Sequence, residues 1–158
     1  MSTSPSVYCI DTSAVIDWHE RYYPPESFPS LLPLVDDLID TGRLLMSEEV
    51  SLELQAKTAA AGAWCDTRKD KLVLPTDASV AIAVRDVLRE HPRLVGALKN
   101  RNRADPFVIA VARLKGAVVV TGEVGGTADR PKIPYVCGQV GVQCLTFVQL
   151  IRAEGWRL

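Results

Sequence analysis

Val7-Tyr8-Cys9-Ile10-Asp11-Thr12-Ser13 is the stretch on which the fold turns. Four apolar or half-apolar residues without a turn former read as a short strand buried on both faces, as in a parallel sheet. The run stops at a carboxylate followed by two hydroxyl residues. In an open α/β sheet, ligands bind in the crevice beyond the carboxyl ends of the strands, so Asp11 stands where chemistry would occur. A plain helix cap by Asp11 or Thr12 is the alternative, and this stretch alone leaves both open.

Outward from it, the chain alternates helical patterns with short apolar runs. Ala14 to Trp18 reads as a short helix that Pro24-Pro25 ends. Leu31, Leu34, Val35, Leu38 and Ile39 mark an amphipathic helix with Ser30 as cap and Gly42 as stop. Arg43 to Met46 is a second strand, and Ser47 opens a helix with acids in its first turn that runs to about Ala61, before Gly62. Leu72 to Leu74 is a third strand, and Thr76 or Asp77 caps a helix reaching His91-Pro92. Ala104-Asp105-Pro106 is a strong start signal, an acid at the cap position and a proline at the first helical position, for a helix that Gly116 stops. Ala117 to Thr121 is the clearest strand, and it too ends on a hydroxyl and an acid, Thr121-Gly122-Glu123. A helix at Pro134 to Val140, a strand at Val142 to Leu145 and a helix at Phe147 to Glu154 complete the chain. With no repeats, this order predicts an α/β fold whose central parallel sheet of about five short strands is covered on both faces.

The 158 residues, 47% apolar and 23% charged, suit one ordinary domain with a real core. A formal net charge of −1 gives no global basic field, so any nucleic-acid contact must come from a local patch. The four cysteines contain no CxxC pair and read as reduced thiols, and the two isolated histidines support neither zinc nor a Ser-His-Asp triad. The N-terminus lacks the basic and apolar parts of a secretory signal, and no run of about 18 apolar residues exists to span a membrane. A cytoplasmic protein is the expectation.

Four acids recur at informative places: Asp11 after the first strand, Glu53 in the helix after the second, Asp105 at a helix start, and Glu123 after the fourth strand. Carboxylates and hydroxyls without histidine or thiol partners are hard ligands that suit Mg²⁺ or Mn²⁺. Singly, each has a plain reading: Asp105 as a cap, Glu53 as a solvated helix acid, Glu123 as a loop residue. Glu49 lies one turn before Glu53 and shares its face, so either could point into a cleft. Lys99, Arg101 and Arg103 form the most basic stretch and are candidates for holding RNA phosphates, against the alternative of a solvated loop. Tyr22 and Tyr23 could stack on a base, but packing on Phe28 or a partner chain is favoured.

The residues also carry a resemblance. Ile-Asp-Thr-Ser at 10–13, Glu-Leu at 53–54, Ala-Asp-Pro-Phe-Val-Ile-Ala-Val-Ala at 104–112 and Val-Val-Thr-Gly-Glu at 119–123 resemble, in order, the acidic motifs of PIN-domain nucleases. The nearest branch is the bacterial and archaeal one that includes VapC-type toxins. The resemblance implies one PIN-like domain over residues 1–158, with 1–6 flexible, built as three α/β/α layers around a Mg²⁺- or Mn²⁺-dependent endoribonuclease site. By position, Asp11, Glu53 and Asp105 would be the core carboxylates and metal ligands and Glu123 the fourth acid, with Glu49 as an alternative ligand. Thr12, Ser13 and Thr121 would orient them. Many relatives have an aspartate at the fourth motif, where this chain has Glu123 after a glycine; Asp129 is the less favoured substitute.

The resemblance further implies the toxin of a type II toxin–antitoxin pair, with RNA as substrate, a small antitoxin as partner and self-association. The rival is a catalytically inactive PIN-like module that binds RNA or protein. A phosphatase of the haloacid dehalogenase kind wants a second aspartate two places after the first, and position 13 is Ser.

Overall fold

The computed structural model describes residues 4–94 and 104–158. Lys99, Arg101 and Arg103 lie outside the described residues. Five parallel strands, β1 (Tyr8–Ile10), β2 (Leu44–Ser47), β3 (Val73–Leu74), β4 (Val118–Val120) and β5 (Cys144–Leu145), form one sheet in the order β3-β2-β1-β4-β5. Central β1 is flanked by β2, with Tyr8 opposite Leu44, and by β4, with Ile10 opposite Val120. Tyr8, Cys9 and Ile10 are fully buried, as a strand covered on both faces requires.

The helices are α1 (Thr12–Ile16), α2 (Leu31–Asp40), α3 (Glu48–Lys57), α4 (Ala59–Asp66), α5 (Lys69–Leu72), α6 (Ala78–Glu90), α7 (Asp105–Lys115), α8 (Ile133–Val140) and α9 (Phe147–Glu154). Right-handed crossovers from β1 through β2 to β3 put α2 to α5 on one face of the sheet. The return through β4 to β5 puts α6 to α8 on the other. The chain therefore leaves β1 in opposite senses on its two sides, which makes the carboxyl end of β1 and β4 the topological switch point. At the opposite end, Tyr8 Oη donates to Glu154 at 2.5 Å and Arg43 Nη2 donates to the same carboxylate at 2.6 Å, tying α9 to β1 and β2. Among the described residues, no helix is long and apolar enough to cross a membrane.

Three local expectations are corrected. The helix opened by Ser47 does not reach Ala61: α3 ends at Lys57, and Thr58, in extended backbone, caps α4 by accepting from the Ala61 amide. Thr58 also donates its hydroxyl to Glu20, a partner 38 residues away in sequence. Gly62 is thus an interior residue of α4 whose bareness allows close approach to Gln55, since a Cβ there would lie 3.2 Å from Gln55 Cα. The short helix after Asp11 does not end at Trp18 but continues as a π-helical segment, Asp17–Tyr22. Such widened turns are frequent at functional sites. Finally, Asp105 is not a cap: Ala104 holds that position, and Asp105 is the first helical residue with Pro106 second. Tyr23 packs on Phe28, ring centroids 5.3 Å apart, as favoured, whereas Tyr22 is exposed.

Candidate active site

Beyond the carboxyl end of β1 and β4 lies a cleft of about 370 Å³ whose walls include Thr12, Ser13, Glu53, Asp105 and Glu123. Asp11 forms its floor. The Asp11 amide donates to Val120 O at 2.8 Å, which fixes the end of β1 against β4. Its side chain occupies a cap position without capping: Oδ2 accepts from Ser13 Oγ at 2.6 Å and from Thr121 Oγ1 at 3.0 Å. The two hydroxyls are 3.2 Å apart, so the ends of both strands meet on one carboxylate oxygen. Burial raises the Asp11 carboxyl above its ordinary range, and the hydrogen bonds from Ser13 and Thr121 oppose that rise.

Glu53 reaches the same place from α3. Its Oε1 accepts from Thr12 Oγ1 at 2.8 Å and its Oε2 from the Ala104 amide at 3.3 Å, which ties the first motif to the start of α7. Glu49 is not among the cleft-lining side chains. Asp105, only 5% exposed, presents an Oδ2 atom that is buried without a hydrogen-bond partner. Burial, then the carboxylates of Glu123, Asp11 and Glu53, pushes its pKa up to about 9. Glu123 is raised to about 7, first by burial and then by Asp11, with Lys132 pulling it down, and it shares a hydrogen bond with Asp105. A proton thus joins two carboxyls that repel each other when both are ionised.

Gly122 explains the departure at the fourth motif. Its amide donates to Ser13 Oγ at 2.8 Å, and a Cβ there would collide with the Asp17 carboxylate. Only glycine lets this strand end close down on α1, and the Glu123 amide then bonds Thr121 Oγ1 at 3.1 Å. Asp129 is outside the cleft, on an exposed ion pair with Arg93.

Three basic residues that carry no motif signal also line the cleft: Arg21, Lys57 and Lys132. Arg21 pairs with Asp17 at 3.1 Å and Lys57 with Glu53 at 3.9 Å, each one helical turn apart in sequence. The i, i+4 spacing was visible; the direction of the face was not.

Whether a divalent cation suits these residues is decided by donor chemistry and satisfaction. The oxygens are hard, one is buried and orphaned, and the acids raise one another's proton affinity, the penalty a cation would remove. As they stand, no three His, Cys, Asp or Glu side chains among the described residues are already arranged to hold an ion. The donor set fits and its final closure does not yet exist.

A stability prediction follows. A carboxyl whose folded-state pKa is raised contributes stability that is whole below the unfolded value and lost as pH rises toward the folded value. For Asp105 that window runs from the ordinary 3.8 to about 9. Without divalent ions, Asp105→Asn is therefore expected to stabilise the protein at pH 8 by roughly 1–3 kcal/mol, because it keeps a donor toward Glu123 and removes the repulsion. Thermal melts from pH 5 to 9 check this: the gap between variant and wild type should widen with pH, and a constant gap would contradict it.

The family model described as "Domain of unknown function (DUF4411)" matches residues 8–158. The chain belongs to this family. No curated protein matches it in sequence. Among solved structures, VapBC2 from Rickettsia felis bound to a DNA fragment from their promoter is similar with a TM-score of 0.52 and 16% identity, over 89% of this chain and 98% of that one. VapBC-1 from nontypeable Haemophilus influenzae is similar with a TM-score of 0.56 and 15% identity, over 90% and 98%. At such identities the likeness is one of fold. The VapC-like PIN fold implied by the ordered acidic motifs is the fold of this DUF4411 chain.

Proposed function

We propose that this chain is a Mg²⁺- or Mn²⁺-dependent endoribonuclease, one PIN-like domain acting in the cytoplasm as the toxin of a type II toxin–antitoxin pair. One observation carries the reading. Carboxylates from four separate elements face one cleft at the topological switch point, and the most buried polar atom among them, Asp105 Oδ2, has no partner. Such an arrangement raises the free energy of the folded chain, so a stabilising ligand is its natural complement.

Asp11, Glu53, Asp105 and Glu123 would hold the cation. When bound, a divalent ion lowers the pKa of water and offsets charge developing on a phosphate. The chain's own part is orientation and proton handling. Ser13 and Thr121 occupy Oδ2 of Asp11 and so fix the direction of Oδ1, while Thr12 and the Ala104 amide hold both oxygens of Glu53. Glu123, poised near neutrality, is the acid suited to accept a proton from the attacking water.

The toxin role is supported by likeness to the two VapBC structures, one of which is bound to promoter DNA. From it we propose a small antitoxin as partner and assembly of this chain with itself. A second reading, an inactive module that binds RNA or protein, is favoured by the absence of a preformed three-ligand arrangement among the described residues.

Thermal melting separates the two. With Mn²⁺ at 100 times its dissociation constant, the nuclease is expected to gain about 2.7 kcal/mol, a shift of several degrees. Unchanged melting with Mn²⁺ would favour the inactive module.

A further inference from the structure

We infer that Lys132 is the residue that grips a substrate phosphate in this cleft and that Gly126 is the positioning residue that sets it there. The inference rests on the nuclease reading and names the substrate contact of that same site.

Of the cleft's basic side chains, Arg21 and Lys57 are already engaged with Asp17 and Glu53. Lys132 forms no ion pair within 4 Å among the described residues. It lines the cleft beside Asp105 and Glu123, so its charge is available to an incoming phosphodiester. A polyanion approaching a group of carboxylates needs such a cation, since Coulomb repulsion would otherwise oppose binding.

The backbone shows how Lys132 is held. Its neighbours Pro131 and Ile133 are both buried while Lys132 is exposed, and its own backbone is extended, φ −121° and ψ 169°. Alternation therefore turns the lysine away from the core. Gly126 lies against it with φ +106°, and a Cβ there would stand 2.7 Å from Lys132 N and 3.0 Å from Lys132 Cβ. The Thr127 amide bonds Arg130 O at 3.1 Å and the Arg130 amide bonds Thr127 Oγ1 at 3.1 Å, closing the intervening turn. Any side chain at 126 must displace the lysine backbone. A loop residue six positions away thereby decides where the cation sits.

The test uses the full chain carrying Asp11→Asn, which silences cleavage, and reads anisotropy of a short fluorescein-labelled single-stranded RNA over a range of salt. Adding Lys132→Ala is expected to weaken binding several-fold and to lower the salt slope by about 1, the signature of one lost phosphate contact. Lys132→Arg should restore both. Gly126→Ala should mimic Lys132→Ala although the lysine is still present; should it not fold, the alanine and arginine variants at 132 decide alone. The inference is overturned if Lys132→Ala binds RNA with the parent's affinity and slope, or if the parent shows no salt-dependent binding. Failure of the nuclease reading looks different: Asp11→Asn alone would then cleave RNA as fast as wild type.

Discussion

Asp11→Asn is expected to lower the rate of RNA cleavage by roughly 10²–10³-fold, the size of effect seen when one preorganised electrostatic group is removed from an active site. The substitution is nearly isosteric, so the fold should survive it. Ser13 and Thr121 can still bond an amide oxygen, and the variant loses a buried charge whose burial already raises its proton affinity. Melting at or above the wild-type temperature, with cleavage gone, is the expected pair of results. Cleavage at the wild-type rate would assign the activity to another site or to a contaminant.

Trp18→Ala is expected to cost about 3–5 kcal/mol, in the range for deleting a fully buried aromatic side chain. Trp18 is completely buried at the junction of three elements. Its ring stands edge-on to Trp64 with centroids 5.2 Å apart and stacks on Phe147 at 5.7 Å and 17°. It therefore ties the π-helical segment to α4 and to the start of α9. Its Nε1 is buried without a partner, so Trp18→Phe forfeits volume but no hydrogen bond and should cost much less than alanine. The same segment carries Asp17, which lies against Gly122, and Arg21, which lines the cleft. Loss of Trp18 is thus expected to reduce activity below the melting temperature as well. Urea unfolding of the three proteins measures this; equal midpoints for wild type and alanine would contradict the packing described.

The parts of this molecule that could be read from the chain are those decided locally. β1 and β4 announce themselves because their residues are apolar on both sides and stop at polar ones. Gly116 ends α7 with φ +60°, and Asp77 caps α6 through a 2.9 Å bond to the Val80 amide, both by local chemistry. The ordered acids around Asp11, Glu53, Asp105 and Glu123 were visible as a pattern for the same reason. What was hidden depends on partners distant in sequence. The break at Thr58 carries no turn former and shows itself only through Glu20. Asp105 beside Pro106 has the appearance of a cap, yet as the first helical residue its carboxylate turns toward Glu123. Arg21, Lys57 and Lys132 gave no signal because nothing local says which way a solvated cation faces. For Lys132 the deciding feature is close approach by Gly126, visible only once the loop is folded.

Crystals grown with Mn²⁺ and measured for anomalous scattering give the most direct test of whether one ion draws these acids together. An ion site built as described predicts a Mn²⁺ peak in the cleft within about 2.0–2.3 Å of oxygens from Asp11 and Asp105, with Glu53 and Glu123 bound directly or through water. A map from fully loaded crystals with no peak in that cleft would contradict it.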